Sequence, residues 1–348
     1  MHRFFVFCLV ALLLNLPSVT GAIDDGSPDL DEVIKLLKLD PSDKERALAG
    51  EIVTFDYDDS MKKELASGLV AVIKRPYGEV IDAVRGNRLF QFNRHVLDFK
   101  QIKGEPEVSK FQELGYSAAE IDEVYALLSI KPGDKFNLSA AEIDRIQALQ
   151  AETTGLDDSA LIDAVNNMLR IFLSERLRHY QEAGLGGIAP YQRGRKDRSS
   201  PSLELNVAIQ EMGDLKRYAP NFYNILQNFP NARIQEVEHR FYVFKFDIVG
   251  RPGFVLSHRI YFFGAEFALV AERHIYVPHF YNSLQLIAGV IPHENSTALF
   301  YGNRTYTDQV TGFGSGMKHS VAGKHMTEAI TSLLNDIRVG IESGRASP

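Results

Sequence analysis

Along residues 234–308 polar and apolar side chains change places at almost every position. "IQEVEHRFYVFKFDIV", "GFVLSHRIYFF", "EFALVAERHIYV", "SLQLIAGVI" and "TALFYGNRTYTD" carry this period, and short connections with Gly, Pro or Asn separate them. Successive side chains of a strand point to opposite faces, so the pattern predicts a meander of antiparallel strands. After "GFGSG" the period lengthens. Met317, Val321, Met326, Ile330, Leu333, Leu334 and Ile337 recur at helical spacing and predict one long helix over about 315–342, with a broad apolar stripe. Ser315 is positioned to cap it.

Nearer the start, "GEIVTFDYDD" and "ELASGLVAVIK" read as strands, after an acidic leader with a short helix around "PDLDEVIKLLKLD". "RPYGEVIDAVRG" reads as a helix, with Pro76 at its first position and Gly86 just past its end. The middle of the chain is helical. "SAAEID" occurs twice, from Ser117 and from Ser139, and a glutamate three residues on (Glu120, Glu142) makes each a capping box. Leu161, Val165, Leu169, Phe172, Leu173 and Leu177 predict a longer helix over about 159–183, and one or two amphipathic helices follow within 203–230. The whole reads as a single α+β domain over 23–348. An antiparallel sheet (about 234–310) wraps a long C-terminal helix, and a large helical insertion (about 106–230) lies between the early strands and the meander.

The first 22 residues change the setting. "MHRFFVFCLVALLLNLPSVTGA" has a basic start at Arg3, an apolar run from Phe4 to Leu16, and small residues at Thr20 and Ala22, the pattern of a secretory signal peptide. The expectation is export, to a periplasm or beyond the cell. The single cysteine, Cys8, lies inside that run, so a mature chain has no disulfide and must rely on a hydrophobic core. The net charge of −7 becomes one unit more negative without Arg3. An acidic chain lacks the phosphate-neutralising charge on which general nucleic-acid binding rests. Against this background, Arg193, Arg195, Lys196 and Arg198, within "GLGGIAPYQRGRKDRSSPS", stand out as either a solvated loop or a contact for an anionic membrane surface or a phosphate-bearing partner, the latter making this a non-catalytic partner-binding protein.

Two stretches, "LASGLVAVIKRPYGEVIDAVRG" and the run of strands plus closing helix from 234 to 341, together resemble the helix-grip architecture of START-type lipid-transfer and polyketide-cyclase-like proteins. The resemblance implies a sheet folded around the last helix with an apolar cavity between them, and hence an apolar or amphipathic small-molecule ligand, a lipid among the options. "GLGGIAPYQRGR", "YNSLQLIAGVIP" and "TDQVTGFGSGMKHS" are also similar to an uncharacterised group of exported bacterial proteins.

Candidate chemistry concentrates in the meander. Arg240, Arg259, Arg273 and Arg304 each lie near a strand centre, and His239, His258 and His274 stand beside three of them. Paired in register, they would form a polar row on one face. Three readings stay open. The row could be solvent-facing cross-strand pairs. It could be a ligand anchor, in which Arg240, Arg259, Arg273 or Arg304 with Glu238 or Glu272, near Tyr276, holds a carboxylate or phosphate inside a cavity. Or His258 or His274 could work with Glu272 as acid and base, although no nucleophile motif such as G-x-S-x-G accompanies them. His274 and His279 alternate to opposite faces, and no Cys, His-x-His or H-E-x-x-H accompanies them, so no metal and no cofactor is implied. "TGFGSGMKHS" fails the Walker pattern, since Lys318 precedes His319 rather than Ser or Thr. Nothing in the pattern sets the oligomeric state.

Overall fold

The computed structural model describes residues 28–345, apart from 56, 132, 134, 135 and 195. The signal-peptide reading of residues 1–22, and Arg195 of the basic loop, lie outside the described residues.

Two short helices, α1 (Leu30–Leu36) and α2 (Pro41–Leu48), come first, then strands β1 (Val53–Phe55) and β2 (Glu64–Ile73), helix α3 (Tyr77–Arg85) and strand β3 (Val96–Ile102). The helical segment follows: α4 (Ile121–Leu128), α5 (Ala140–Glu152), α6 (Asp158–Ala183), a small ribbon of β4 (Tyr191–Gln192) and β5 (Arg198–Ser199), then α7 (Pro201–Gln210), α8 (Gly213–Tyr218) and α9 (Pro220–Asn228). The meander is β6 (Val237–Ile248), β7 (Arg251–Phe263), β8 (Ala268–Tyr276), β9 (Ser283–His293) and β10 (Ser296–Tyr306), and α10 (Ser315–Glu342) closes the chain.

One antiparallel sheet of eight strands results, in the order β1-β2-β10-β9-β8-β7-β6-β3. The meander forms its centre. β2 adds to β10 at one side and β3 to β6 at the other, so the long excursion between β3 and β6 leaves and re-enters the sheet at neighbouring strands. The fold is therefore α+β, a sheet packed against a long C-terminal helix with helices inserted in the middle.

The sheet has two covered faces. On one, α3, the turn of 3-10 helix at 88–92 and α10 pack over Ile73, with Val80, Ala83 and Ile341 in the contact. Gly340 is needed there, because a Cβ on it would come within 2.2 Å of the Phe92 ring. On the other face, Phe172 and Leu177 of α6 bury Val243, Leu256 and Ile275, while Phe222 and Ile225 of α9 bury Ile260 and Ala271. Helix α1 lays Val33 and Ile34 near Val70 and Ile291.

The structure differs from the expectation at several points. β3, unpredicted, is an edge strand whose side chains are mostly outside the core, so its sequence lacks a clean alternation. The leader holds two helices rather than one. Pro76 is the N-cap residue of α3 rather than its first helical residue, and Gly314, not Ser315, caps α10. The apolar stripe of α10 is also broken. Leu334 is buried, but Met317 and Val321 lie in solvent, because the face that meets β2 in the first turns carries His319, Gly323 and Thr327 instead.

Candidate functional site

Register decides where each candidate goes, since residues directly paired across an antiparallel ladder share a face. Arg240 pairs with Arg259, Arg259 with Glu272 and Glu272 with Leu286; one position along, His258 pairs with Arg273, Arg273 with Gln285 and Gln285 with Arg304. The single polar row expected from sequence is thus two rows on opposite faces. The strands pair as required, but Arg259 and Arg273 fall on different sides of the pleat.

The first row faces α3 and α10. Arg259 Nη2 reaches Glu272 Oε2 at 2.5 Å and its guanidinium lies over the Phe90 ring. Ser257 Oγ donates to Glu272 Oε1 at 2.8 Å. His274 Nε2 lies 3.2 Å from the same oxygen, and its Nδ1 2.8 Å from the Tyr281 hydroxyl. A neutral ring satisfies both contacts by donating to Glu272 and accepting from Tyr281. Burial opposes charge on Glu272, yet Arg259 and His274 beside it hold its carboxyl well below the usual range. A carboxylate so firmly ionised is a weak proton acceptor, and both His274 nitrogens are engaged. The arrangement orders charge and leaves no free base. Arg240 and Glu238 form a bidentate pair toward the edge of the same face, with Glu238 half-exposed.

The second row faces the helical segment. Arg273 is 1% exposed and has no carboxylate partner among the described residues; its donors go to Gln285 Oε1 (3.2 Å), the Tyr180 hydroxyl (3.1 Å) and the Leu226 carbonyl (2.9 Å). The Tyr180 hydroxyl passes its proton bond to His258 Nδ1 (2.8 Å), and His258 Nε2 lies 3.0 Å from His239 Nδ1. Burial, then His239 and Arg273, drive the His258 pKa well below its ordinary value; burial, then Arg273, lowers His239 to about 4. The two rings are neutral at pH 7 and relay hydrogen bonds from the half-buried His239 to the buried guanidinium. His258 does not meet Glu272.

Tyr276 parts company with Glu272 and His274. A register shift between Leu256 and Ser257 turns it toward α6, where Arg176 stacks on its ring and pairs with Glu142. His279 sits between Phe136 and Phe280, away from His274. No group of three or more His, Cys, Asp or Glu among the described residues is arranged to hold a metal ion. In the basic loop Arg193 is tied to Asp308, Asn137 and Asn282, while Lys196 and Arg198 are exposed.

An apolar cleft of about 230 Å³ opens on the helical-segment face, between α1 and α8. Leu269, Ile287, Ile291 and Phe300 form its floor; Val33 and Leu37 stand on one side, Met212 and Leu215 on the other. Gly289 and Gly302 keep the floor low, and a Cβ on Gly289 would meet nothing closer than Leu269 at 3.5 Å. Arg304 and Tyr57 mark its polar end. Arg304 Nη1 binds Glu64 at 2.6 Å, and its Nε and Nη2 make no hydrogen bond among the described residues. Burial pushes the Tyr57 phenol up to about 12, so at neutral pH it is a donor. Glu211 and Asp214 stand on the α8 rim. Sequence placed the cavity between sheet and C-terminal helix; this cleft is on the opposite face. On the α10 side Val270, Leu286 and Ala288 stay half-exposed.

Fold and cleft define a class, an α+β protein whose antiparallel sheet packs against a long terminal helix and carries an apolar cleft on its other face, between α1 and α8. Structure comparison finds the di-domain ARO/CYC StfQ from the steffimycin biosynthetic pathway, at 10% identity and a TM-score of 0.26, over 81% of this chain and 99% of that one. A likeness at that level assigns no family. No protein-family model and no curated protein matches the chain.

Proposed function

We propose that this protein is a non-catalytic binder of an apolar or amphipathic small molecule, held in the cleft between α1 and α8. The observation that supports the reading is the 230 Å³ cleft itself, apolar along its floor and walls with unpaired arginine nitrogens at one end. Binding sites for small molecules are concave and mostly apolar, with few fixed polar groups. A hydrophobic chain would lie over Ile287 and Leu269, and a hydrogen-bond-accepting head group would meet Arg304 and Tyr57. An exported location, as read from residues 1–22, would make the ligand an envelope or extracellular molecule.

Native mass spectrometry with lipid extraction, on protein isolated from its own host, tests this directly. The expected result is a stoichiometric co-purifying molecule, lost in Gly289→Leu, whose side chain would fill the cleft from an unstrained strand position. A bare polypeptide mass, or a molecule retained by that variant at an unchanged unfolding midpoint, would remove the reading.

A further inference from the structure

The cleft leaves one surface unexplained. Phe313 is 100% exposed, Met317 78% and Val321 51%, one apolar ridge along the turn before α10 and its first two turns. The ridge is held in place from below. Thr311 Oγ1 donates to the Asp308 carbonyl at 2.7 Å, and His319 anchors the helix start to the Glu64 carbonyl at 2.5 Å. Gly312 and Gly314, at φ of 80° and 71°, adopt the left-handed turn that carries Phe313 outward. A large apolar side chain fixed fully in water marks a contact.

The surroundings are basic. Lys318 and Lys324 are exposed on the same helical turns. Arg193 pairs with Asp308, just before the ridge, and so brings the basic loop with exposed Lys196 and Arg198 to this end of the sheet. Of the nearby acids, Asp308 pairs with Arg193 and Lys63, Glu328 lies 4.0 Å from Lys324, and Asp59 faces His319. Asp58 and Asp197 remain exposed. Three protruding side chains are too few for a stable protein interface, which takes about 800 Å² per partner. They suit the headgroup boundary of a bilayer, where apolar tips insert and long cationic side chains stay at the surface.

We propose that this end of the protein docks on an anionic membrane, with Phe313, Met317 and Val321 inserting and Lys318, Lys324, Lys196 and Arg198 meeting the head groups. The proposal is independent of what the cleft holds. The chain contains no tryptophan, so Phe313→Trp gives a reporter at that point alone. Val339→Trp, 41% exposed on α10 and about 33 Å from Met317 at 1.5 Å per residue, is the control. With full-length protein and phosphatidylcholine vesicles containing phosphatidylglycerol, the Phe313→Trp emission should shift to the blue and be quenched by brominated lipid. Pure phosphatidylcholine should give neither effect, and the control should not respond. Lys318→Ala in the reporter background should weaken partitioning about fivefold at low salt. Unchanged emission on anionic vesicles, or equal shifts at the two positions, would overturn the proposal. A shift on adding soluble host proteins but none on vesicles would overturn it in favour of a protein partner.

Discussion

Arg259 and Arg273 sit on neighbouring strands of one sheet and are accommodated by opposite means. Arg259 lies under the 3-10 turn at 88–92, one-fifth exposed, and meets a carboxylate. Arg273 faces the helical segment, is sealed from water, and meets a glutamine, a tyrosine and a carbonyl. The Arg259 row is an ion pair and depends on both members being present. The Arg273 row spreads one charge over neutral dipoles, and it needs its histidines to stay neutral so that no second positive charge joins it. A buried cation tolerates dipoles, since they bring no opposing desolvation cost of a second ion.

The largest test removes the anion. Glu272→Ala leaves Arg259 without its partner and should lower stability by about 3–4 kcal/mol, measured from the urea midpoint. A loss under about 1 kcal/mol would mean that water already solvates Arg259, and the contrast would collapse. Arg273→Met should cost less, about 1–2 kcal/mol, because it strands only neutral acceptors at Gln285, Tyr180 and Leu226. If it cost as much as Glu272→Ala, the dipoles would be doing what a carboxylate does elsewhere. The smallest effect is in mild acid. The unfolded chain takes up protons on His239 and His258 as pH falls through about 6.5, while the native state resists until about 4 at His239 and until well below the ordinary histidine range at His258. Stability should therefore fall by about 1 kcal/mol between pH 7 and 6, and His239→Gln should halve that slope. The Glu272 contribution has the other sign of shift, is complete above its unfolded pKa, and is lost only below about pH 4.5. A stability profile flat from pH 7 to 5 would contradict the histidine half of the comparison.

Much of the scaffold was legible because it repeats locally. The period of two in the meander, the helical period of α6 and both capping boxes at Ser117 and Ser139 are all present in the structure. The site was less legible, for reasons of register. Whether Arg259 and Arg273 share a face follows from parity along their strands and from which residue pairs with which. The bulge at Leu256 that turns Tyr276 away leaves no mark in the residues themselves. Glu142 shows the same limit: the capping signal was plain, but its pairing with Arg176 of α6 joins segments far apart in sequence. The cleft was hidden because its walls, α1 and α8, come from two segments that no periodicity links. Gly289 and Gly302, mid-strand glycines in the meander, were the nearest available signal.

The excursion from β3 to β6 departs at Ile102 and returns beside it at Phe241, its direct ladder partner. By path, residues 103–236 are a hairpin loop grown very large, and a short turn could replace them without altering the order of a single strand. By burial they are an outer wall, since Val243, Leu256, Ile260 and Ile275 are dry only beneath them. Such a wall cannot open alone. Any excursion that peels it away bares the centre of the sheet, so hydrogen exchange in α6 and in β7 should follow one common opening event.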